Sequence, residues 1–342
     1  MTRLSELTTL RLGGPAGALV EARGEDELLA AVRGTGGPLL LVAGGSNLVV
    51  ADEGFPGTVV RVLTAGVEER ERDGRVELTV QAGEEWEPFV ARCVAEGLAG
   101  VESLSGIPGS IGATPIQNVG AYGQEVAETI VSVRVLDRER DAVEELPAAG
   151  CGFAYRSSAF KRNPGRWVVL AVTFALERRE LSGPLAYAEL ARTLGVQPGE
   201  GAPPADVREA VLGLRRGKGM VLDPADPDSV SAGSFFTNPI LDAEAFAALE
   251  ARTSERPPRF PEDDGRVKTS AAWLIERAGF ARGHGNPDGI AISSKHTLAL
   301  TNRGAGTTAE LLALAHEIAG AVRECFGVTL EPEPTLVGVA WP

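Results

Sequence analysis

The stretch GIPGSIGATPIQNVGAYG, residues 106–123, carries five glycines and no charged side chain. It cannot form a helix interior or a central strand, because each glycine there costs backbone entropy and contributes no packing. Its use is close approach. Glycine lets backbone come into contact with a ligand, and successive uncharged amides can wrap a phosphate even in an acidic chain. Gln117 and Asn118 add neutral donor–acceptor pairs suited to a heterocycle. A loop used only for packing is the bland alternative, and it accounts less well for so many glycines beside exposed amides.

The segments before this loop set its context. GALVEA reads as a strand, EDELLAAVR as a helix with acids at its start and Arg33 at its end, and PLLLVA as a buried strand, together a βαβ crossover. Gly44, Gly45, Ser46 and Asn47 follow and run into the β-branched segment LVVADEGFPGTVV. A Rossmann or P-loop fingerprint would enter a helix instead, so neither motif is present. The GGSN turn is open to two readings, a tight connection or a backbone nest for phosphate. RVELTVQAG alternates like a strand, and EEWEPFVARCVAEG is an amphipathic helix stopped at Gly97.

Composition narrows the function. A chain of 342 residues with 44% apolar content and no fixed-period repeat is expected to be globular, with two or three domains. A net charge of −14 argues against a nucleic-acid footprint and leaves small anionic ligands, where the charge is locally inverted. The start MTRLSELTTLRLGG lacks the apolar core of a signal peptide, and no window approaches the ~18 apolar residues of a membrane span, so a cytoplasmic protein without membrane partners is expected. Cys93, Cys151 and Cys325 are odd in number and never in CxxC spacing. No disulfide framework, zinc site or other metal is indicated, and all three are expected to be buried, inert thiols.

GGSN, SGIPGSIGATPIQNVGAYGQE, CGFAYRSSAFK, SAGSFFTNP and LEPE, in this order over nearly the whole chain, resemble the motifs of the UDP-N-acetylenolpyruvoylglucosamine reductases, the MurB family. PLAYAEL is similar to the tyrosine-bearing loop of its longer subtype. The resemblance implies an α+β fold: an FAD-binding two-subdomain fold of the vanillyl-alcohol-oxidase (PCMH) type, plus a C-terminal α+β substrate domain. Its subdomains fall at 1–60 and 61–204, with 325–342 returning to the second, and the substrate domain at 205–324. The linker GVQPGEGAPPAD precedes a helix, VREAVLGLRRGKGM, that opens the substrate domain. TSAAWLIERAG and TTAELLALAHEIAGAVRECFG supply further helices, and IAISSKHTLALTN supplies strands.

The same resemblance implies non-covalent FAD, held by Gly44, Gly45, Ser46, Asn47, Gly106, Ile107, Pro108, Gly109, Ser110, Gly112, Ala113, Gln117, Asn118, Gly120, Tyr122 and Gly123. NADPH reduces the flavin, and hydride then reaches C3 of an enolpyruvyl ether on a UDP-sugar, which sends negative charge into the adjacent carboxylate. Arg156 matches the arginine that meets this enediolate, its guanidinium fork suiting a carboxylate gaining charge. Glu333 matches the catalytic glutamate; Glu331, two residues away, would share its face in a strand. Ser234 matches the proton donor to C2, a role a feeble acid fills only toward a strong base such as an enediolate carbon. Tyr187, Lys218 and Asn238 match substrate contacts, although MVLDPADPDSVS makes the Lys218–Ser234 connection longer than the family's. Lys295 and His296 are left without a role. The partners implied are the UDP-sugar and NADPH, with no nucleic acid and a monomeric chain.

Two rivals remain at this level. A flavin oxidase of the same superfamily would often hold its cofactor through His or Cys; no histidine precedes His284, which leaves Cys93 or Cys151. A nucleotide-binding regulatory module would bind without turnover.

Overall fold

The computed structural model describes residues 2–262 and 264–341, and the chain divides into two compact units. The middle unit comprises Gly17–Gly44 and Pro56–Gly217. The terminal unit comprises the N-terminal stretch to Ala16, Gly45–Phe55 and the chain from Lys218 onward. The divisions expected at 60/61 and 204/205 follow assigned roles, whereas these follow packing.

In the middle unit, β1 (Ala16–Ala22), α1 (Glu25–Gly34) and β2 (Leu39–Val42) run in the expected order, and the chain passes through β3 (Leu48–Val50) into β4 (Phe55–Val62). β1 and β2 are not neighbours: β4 lies between them, parallel to β2 from Leu39↔Thr58 to Val42↔Arg61. The adjacent Val59 and Val60 of β4 are both fully buried, the mark of a strand covered on two faces, so β4 takes the central place.

β5 (Val67–Arg72) and β6 (Arg75–Gln81) form a hairpin through Asp73 and Gly74, at φ 51° and 78°, as a two-residue inverted turn requires. α2 (Trp86–Ala95) turns Trp86, Phe89, Val90 and Cys93 inward and stops before Gly97 at φ 71°. After β7 (Leu98–Ala99) and the glycine-rich loop, β8 (Gly120–Ala121) and β9 (Gln124–Glu125) make a second small hairpin, followed by β10 (Ile130–Asp137), β11 (Ala142–Pro147), α3 (Ala159–Arg162) and β12 (Trp167–Arg178). The main sheet runs β11–β10–β12–β6–β5. The almost wholly buried β12 sits at its middle, and the charged EERER strand β5 blunts one edge.

α4 (Ala188–Leu194) and α5 (Pro204–Gly217) complete this unit. Val207 and Val211 of α5 pack with Leu185, Leu190 and Ala202, and Arg208 ion-pairs with Glu87 of α2 at 2.5 Å. These contacts group α5 with the middle unit.

The terminal unit holds β13 (Ser231–Ser234), β14 (Ile240–Leu241), α6 (Ala243–Ala251), β15 (Phe260–Pro261), β16 (Val267–Lys268), α7 (Ala271–Arg277), β17 (Ile290–Ile292), β18 (Ala299–Asn302), α8 (Thr308–Phe326) and β19 (Thr335–Val337). Its sheets are β13–β18–β17 and β14–β16–β15, and β19 runs parallel to β3 from Thr335↔Leu48 to Val337↔Val50. α8 starts with a reciprocal capping box, Thr307 with Glu310, and Asp52 accepts from the amides of Thr308 and Ala309. Its apolar stripe, Leu311, Leu314, Ala315, Ile318, Val322 and Phe326, faces the core.

The three cysteines are not all buried as expected. Cys93 and Cys151 are buried, but Cys325 is exposed, because it lies on the flank of that stripe in the last turn of α8, where coverage ends. Among the described residues no helix is long and apolar enough to cross a membrane, and no group of three or more His, Cys, Asp or Glu side chains is arranged to hold a metal.

Candidate active site

The glycine-rich loop is lashed to the junction of β6 and α2. The Trp86 amide donates to Gly109 O at 3.0 Å, Ile111 N to Glu84 O and Gly112 N to Ala82 O, both at 2.9 Å, and Trp86 Nε1 to Leu104 O at 3.1 Å. Glu87 accepts from Gly106 N at 2.5 Å while holding Arg208 with its other oxygen. A Cβ on Gly44 would lie 2.7 Å from Gly109 Cα, so two glycine segments pass at a distance no side chain allows. Gly112 has a different reason: its Cβ would meet Ala82 Cβ at 2.7 Å, and its amide is already spent on Ala82. Ser110 is 3% exposed, and its Oγ is buried without a hydrogen-bond partner among the described residues. An orphaned hydroxyl of this kind is costly unless a ligand completes it.

Asn118, at φ 47° and 1% exposed, commits its amide to its own chain. Its Nδ2 donates to Glu125 at 2.6 Å and to Ala154 O at 3.2 Å, and its Oδ1 accepts from Ala127 N at 3.1 Å. Tyr122, at φ 51°, meets Tyr187 edge-on with ring centroids 5.4 Å apart, so the tyrosine loop rests against the end of the glycine-rich loop.

Ala154 and Ser157 exchange both backbone bonds at 3.0 Å, which leaves Tyr155 and Arg156 as the tip of a two-residue turn. Arg156 holds φ 50° there, and its Nη2 donates to Gly120 O at 2.6 Å, with the Tyr155 ring 5.3 Å from the guanidinium carbon. Ser158 fixes the base of the turn, capping α3 and donating to Ile116 O at 2.5 Å. Three non-glycine residues in the left-handed region, Asn118, Tyr122 and Arg156, thus fall among the expected site residues; strain of this kind concentrates where function over-determines the backbone.

In the terminal unit the structure brings Ser234 and Glu333 together. β13 carries a bulge between its pairings Ser231↔Thr301 and Ser234↔Ala299, and Gly233 sits in it at φ 75°. A bulge re-aims the next side chain. The Ser234 hydroxyl, half-buried, makes no hydrogen bond among the described residues. The next peptide is pinned on both sides, Phe235 N donating to Leu298 O at 2.7 Å and Phe235 O accepting from Glu333 N at 2.8 Å. Thr237 N donates to Glu331 O at 3.0 Å, so the two segments run as a short antiparallel ladder. Glu331 is exposed and Glu333 half-buried. Asn47, just before β3, brackets the same segment, its O accepting from Thr335 N at 2.9 Å and its Nδ2 lying 3.4 Å from Glu333 O. The position of Gly45 is absolute, since a Cβ there would come 1.8 Å from Leu7 O.

Asn238 caps α7 through Oδ1, which accepts from Ala271 N at 3.0 Å. The connection after Lys218 is anchored by aspartates. Asp228 accepts from Ser294 N and Oγ and from Arg303 Nη2 at 2.5–3.0 Å. Burial alone would push its carboxyl up, but the Ser294 hydrogen bonds and the Arg303 charge hold it below the usual carboxylate range. A Cβ on Gly219 would come 2.9 Å from Asp228 Cβ, so this network packs against the Lys218–Gly219 turn. Lys295 pairs with Asp226 at 2.7 Å, which gives that residue a bracing place. Arg216 is exposed, as on a solvated helix face, but burial pulls the Arg215 guanidinium below its ordinary range. Glu87, Arg208 and Asp228 were missed by sequence reasoning; only the neighbouring DPADPDS run, dense in aspartate and proline, signalled an organised connection.

Two family models cover most of the chain: one for an FAD binding domain matches residues 16–144, and one for the C-terminal domain of UDP-N-acetylenolpyruvoylglucosamine reductase matches 224–337. The UDP-N-acetylenolpyruvoylglucosamine reductase of Thermobifida fusca is 59% identical over 98% of this chain and 97% of its own length. This chain belongs to that reductase family. The Streptomyces avermitilis member is 56% identical over 98% of this chain and 94% of its own. The solved MurB structure from Thermus caldophilus superposes with a TM-score of 0.65 at 25% identity, covering 98% and 97% of the two chains. The family's cofactor fits the residues present. The buried Ser110 Oγ lacks a partner of its own, and the Gly44–Gly109 approach is a cradle that a Cβ would fill.

Proposed function

We propose that this chain reduces the enolpyruvyl ether of UDP-N-acetylglucosamine enolpyruvate to UDP-N-acetylmuramate with NADPH, a step of peptidoglycan precursor synthesis. The observation that carries this reading is that Ser234 lies one residue from Phe235, whose carbonyl accepts from the Glu333 amide, in a member of this family. When bound, FAD supplies the two-electron link between NADPH and the substrate.

The chain's own groups do the rest. The Arg156 guanidinium, held at its tip by Gly120 O and Tyr155, meets a carboxylate gaining charge. The Ser234 hydroxyl gives its proton to C2. Glu333, whose backbone is fixed from Phe235 and Asn47, keeps its carboxyl beside that carbon. Lys218 meets the nucleotide diphosphate from a turn braced by Asp228, Asn238 offers its amide NH₂, and Tyr187 covers the sugar nucleotide as in the longer subtype. Ser110 and the glycines of residues 44–45 and 106–123 hold FAD non-covalently, and Asn118 keeps their loop in shape. The enzyme works as a cytoplasmic monomer without nucleic-acid or membrane partners.

An oxidase that tethers its flavin finds little support. Burial pushes the Cys93 thiol up to about 12 and the Cys151 thiol up to about 11, so neither forms the thiolate that attachment needs. The test is to purify the protein, denature it in acid and look for flavin in the supernatant, then to follow NADPH with and without the enolpyruvyl substrate. Stoichiometric NADPH oxidation and a product heavier by two hydrogens are expected. Oxygen uptake independent of that substrate would overturn the reading.

A further inference from the structure

We propose that Trp341 is a positioning residue for the Ser234–Glu333 pair, a role that rests on the proton-donor reading of Ser234 given above. The peptide joining the two residues belongs to Phe235, and the side chains on either side of it, Phe235 and Phe236, are 2% and 1% exposed. Their rings meet edge-on with centroids 5.1 Å apart. Trp341 packs against both, at 6.4 Å from Phe235 and 5.9 Å from Phe236. On its other side it lies over His316 of α8, with centroids 4.5 Å apart and planes inclined by 41°. The His316 Nε2 is buried without a hydrogen-bond partner among the described residues, so the imidazole serves here as a flat wall.

The indole is therefore a wedge between α8 and the ladder that carries the reacting groups. Hydrogen bonds to Leu298 and Glu333 fix the Phe235 peptide, while the two rings are held by packing alone, and the indole is one wall of that packing. Without the indole, the phenyl groups gain room on the α8 side, and the ladder of residues 235–237 with 331–333 shifts with them. Ser234 sits at a bulge beside a glycine at positive φ, where the strand is less regular than in the Ser231↔Thr301 pairing. The chemistry tolerates such a shift poorly, because proton transfer needs the hydroxyl within hydrogen-bond reach of carbon C2.

The experiment compares Trp341→Ala and Trp341→Phe with the wild type by two readouts. In the cofactor-free protein, amide hydrogen exchange at Phe235 and Glu333 is expected to quicken ~10-fold in Trp341→Ala while the β17 amides keep their rates, a local opening. In the flavin-loaded enzyme, flavin bleaching by NADPH is expected to be unchanged. Reoxidation by the enolpyruvyl substrate is expected to slow ~10-fold or more, with KM within about twofold, and Trp341→Phe is expected to recover most of the rate. Uniform exchange acceleration across the terminal unit, or equal slowing of both half-reactions, would make Trp341 a general stabiliser and overturn the proposal. Unchanged exchange at Phe235 and Glu333 would overturn it too. If the wild type itself ignores the enolpyruvyl substrate, the proposed function fails, and the exchange readout decides on the wedge alone. Trp341→Leu replaces the alanine variant if the latter does not fold.

Discussion

Ser234 and Ser110 are both serines without a hydrogen-bonded hydroxyl among the described residues, but they differ in burial, and the difference predicts different outcomes. Ser110 is buried, so its Oγ is a liability without a ligand. Ser110→Ala is expected to leave the thermal stability of the cofactor-free protein unchanged or slightly raised and to weaken FAD binding by about 1 kcal/mol, measured by calorimetric titration. Ser234→Ala is expected to bleach with NADPH at the wild-type rate and to slow reoxidation by the enolpyruvyl substrate ~10²-fold, the lower range for a positioned acid, in stopped-flow absorbance. Equal slowing of both steps would assign the serine to structure. Asp228 tests a charge instead. Because its folded pKa is held below the unfolded value, its stabilisation is present above ~4 and lost as pH falls through the folded pKa. Asp228→Asn is expected to cost about 2 kcal/mol at neutral pH, and the gap in melting temperature from wild type should close as the pH drops below ~4.

At the scale of elements, the glycine-rich loop separates two causes that look alike in sequence. Gly44 is required by another backbone, Gly109, whereas Gly112 is required by the Ala82 side chain at the end of β6. Gly44→Ala therefore pushes Gly109 and its loop away and is expected to weaken FAD binding at least ~10-fold, which is about 1.4 kcal/mol. Gly112→Val overpacks the junction with the main sheet, so it is expected to lower the melting temperature even without FAD, by the ~1–3 kcal/mol that overpacking costs. If Gly112→Val lost only cofactor affinity, the loop would be responding to the ligand rather than to Ala82. The same lesson applies to Asn118, which reads as a ligand amide in sequence and in the fold binds Glu125, Ala154 and Ala127.

For the whole molecule, the two large hydrophobic cores, which have no residue in common, set the unfolding behaviour, and the small cluster around Val207 and Val211 goes with the middle unit. The core around Trp86, Phe89 and Phe174 belongs to the middle unit, and the core around Phe235, Phe236 and α8 to the terminal unit. Differential scanning calorimetry is expected to give a van't Hoff enthalpy below the calorimetric one, the mark of more than one cooperative unit. Asp228→Asn should shift only one of the component transitions. A single two-state peak that moves as a whole would show that the cores melt together.

The local pattern of the chain carried the helices of residues 25–34, 86–95 and 308–326, the strand β6, the ordered family motifs and, through them, FAD and the reductase family, because periodicity, caps and glycine spacing are written in consecutive residues. Tertiary structure alone decided what depends on residues distant in the chain. It placed β4 between β1 and β2, packed α5 against α2 through Arg208 and Glu87, left Cys325 exposed, and joined Asn47, Ser234 and Glu333 across nearly three hundred residues of sequence. Such pairings are selected by the burial of apolar faces and the satisfaction of backbone groups over the whole unit, and these quantities exist only once the chain has closed on itself.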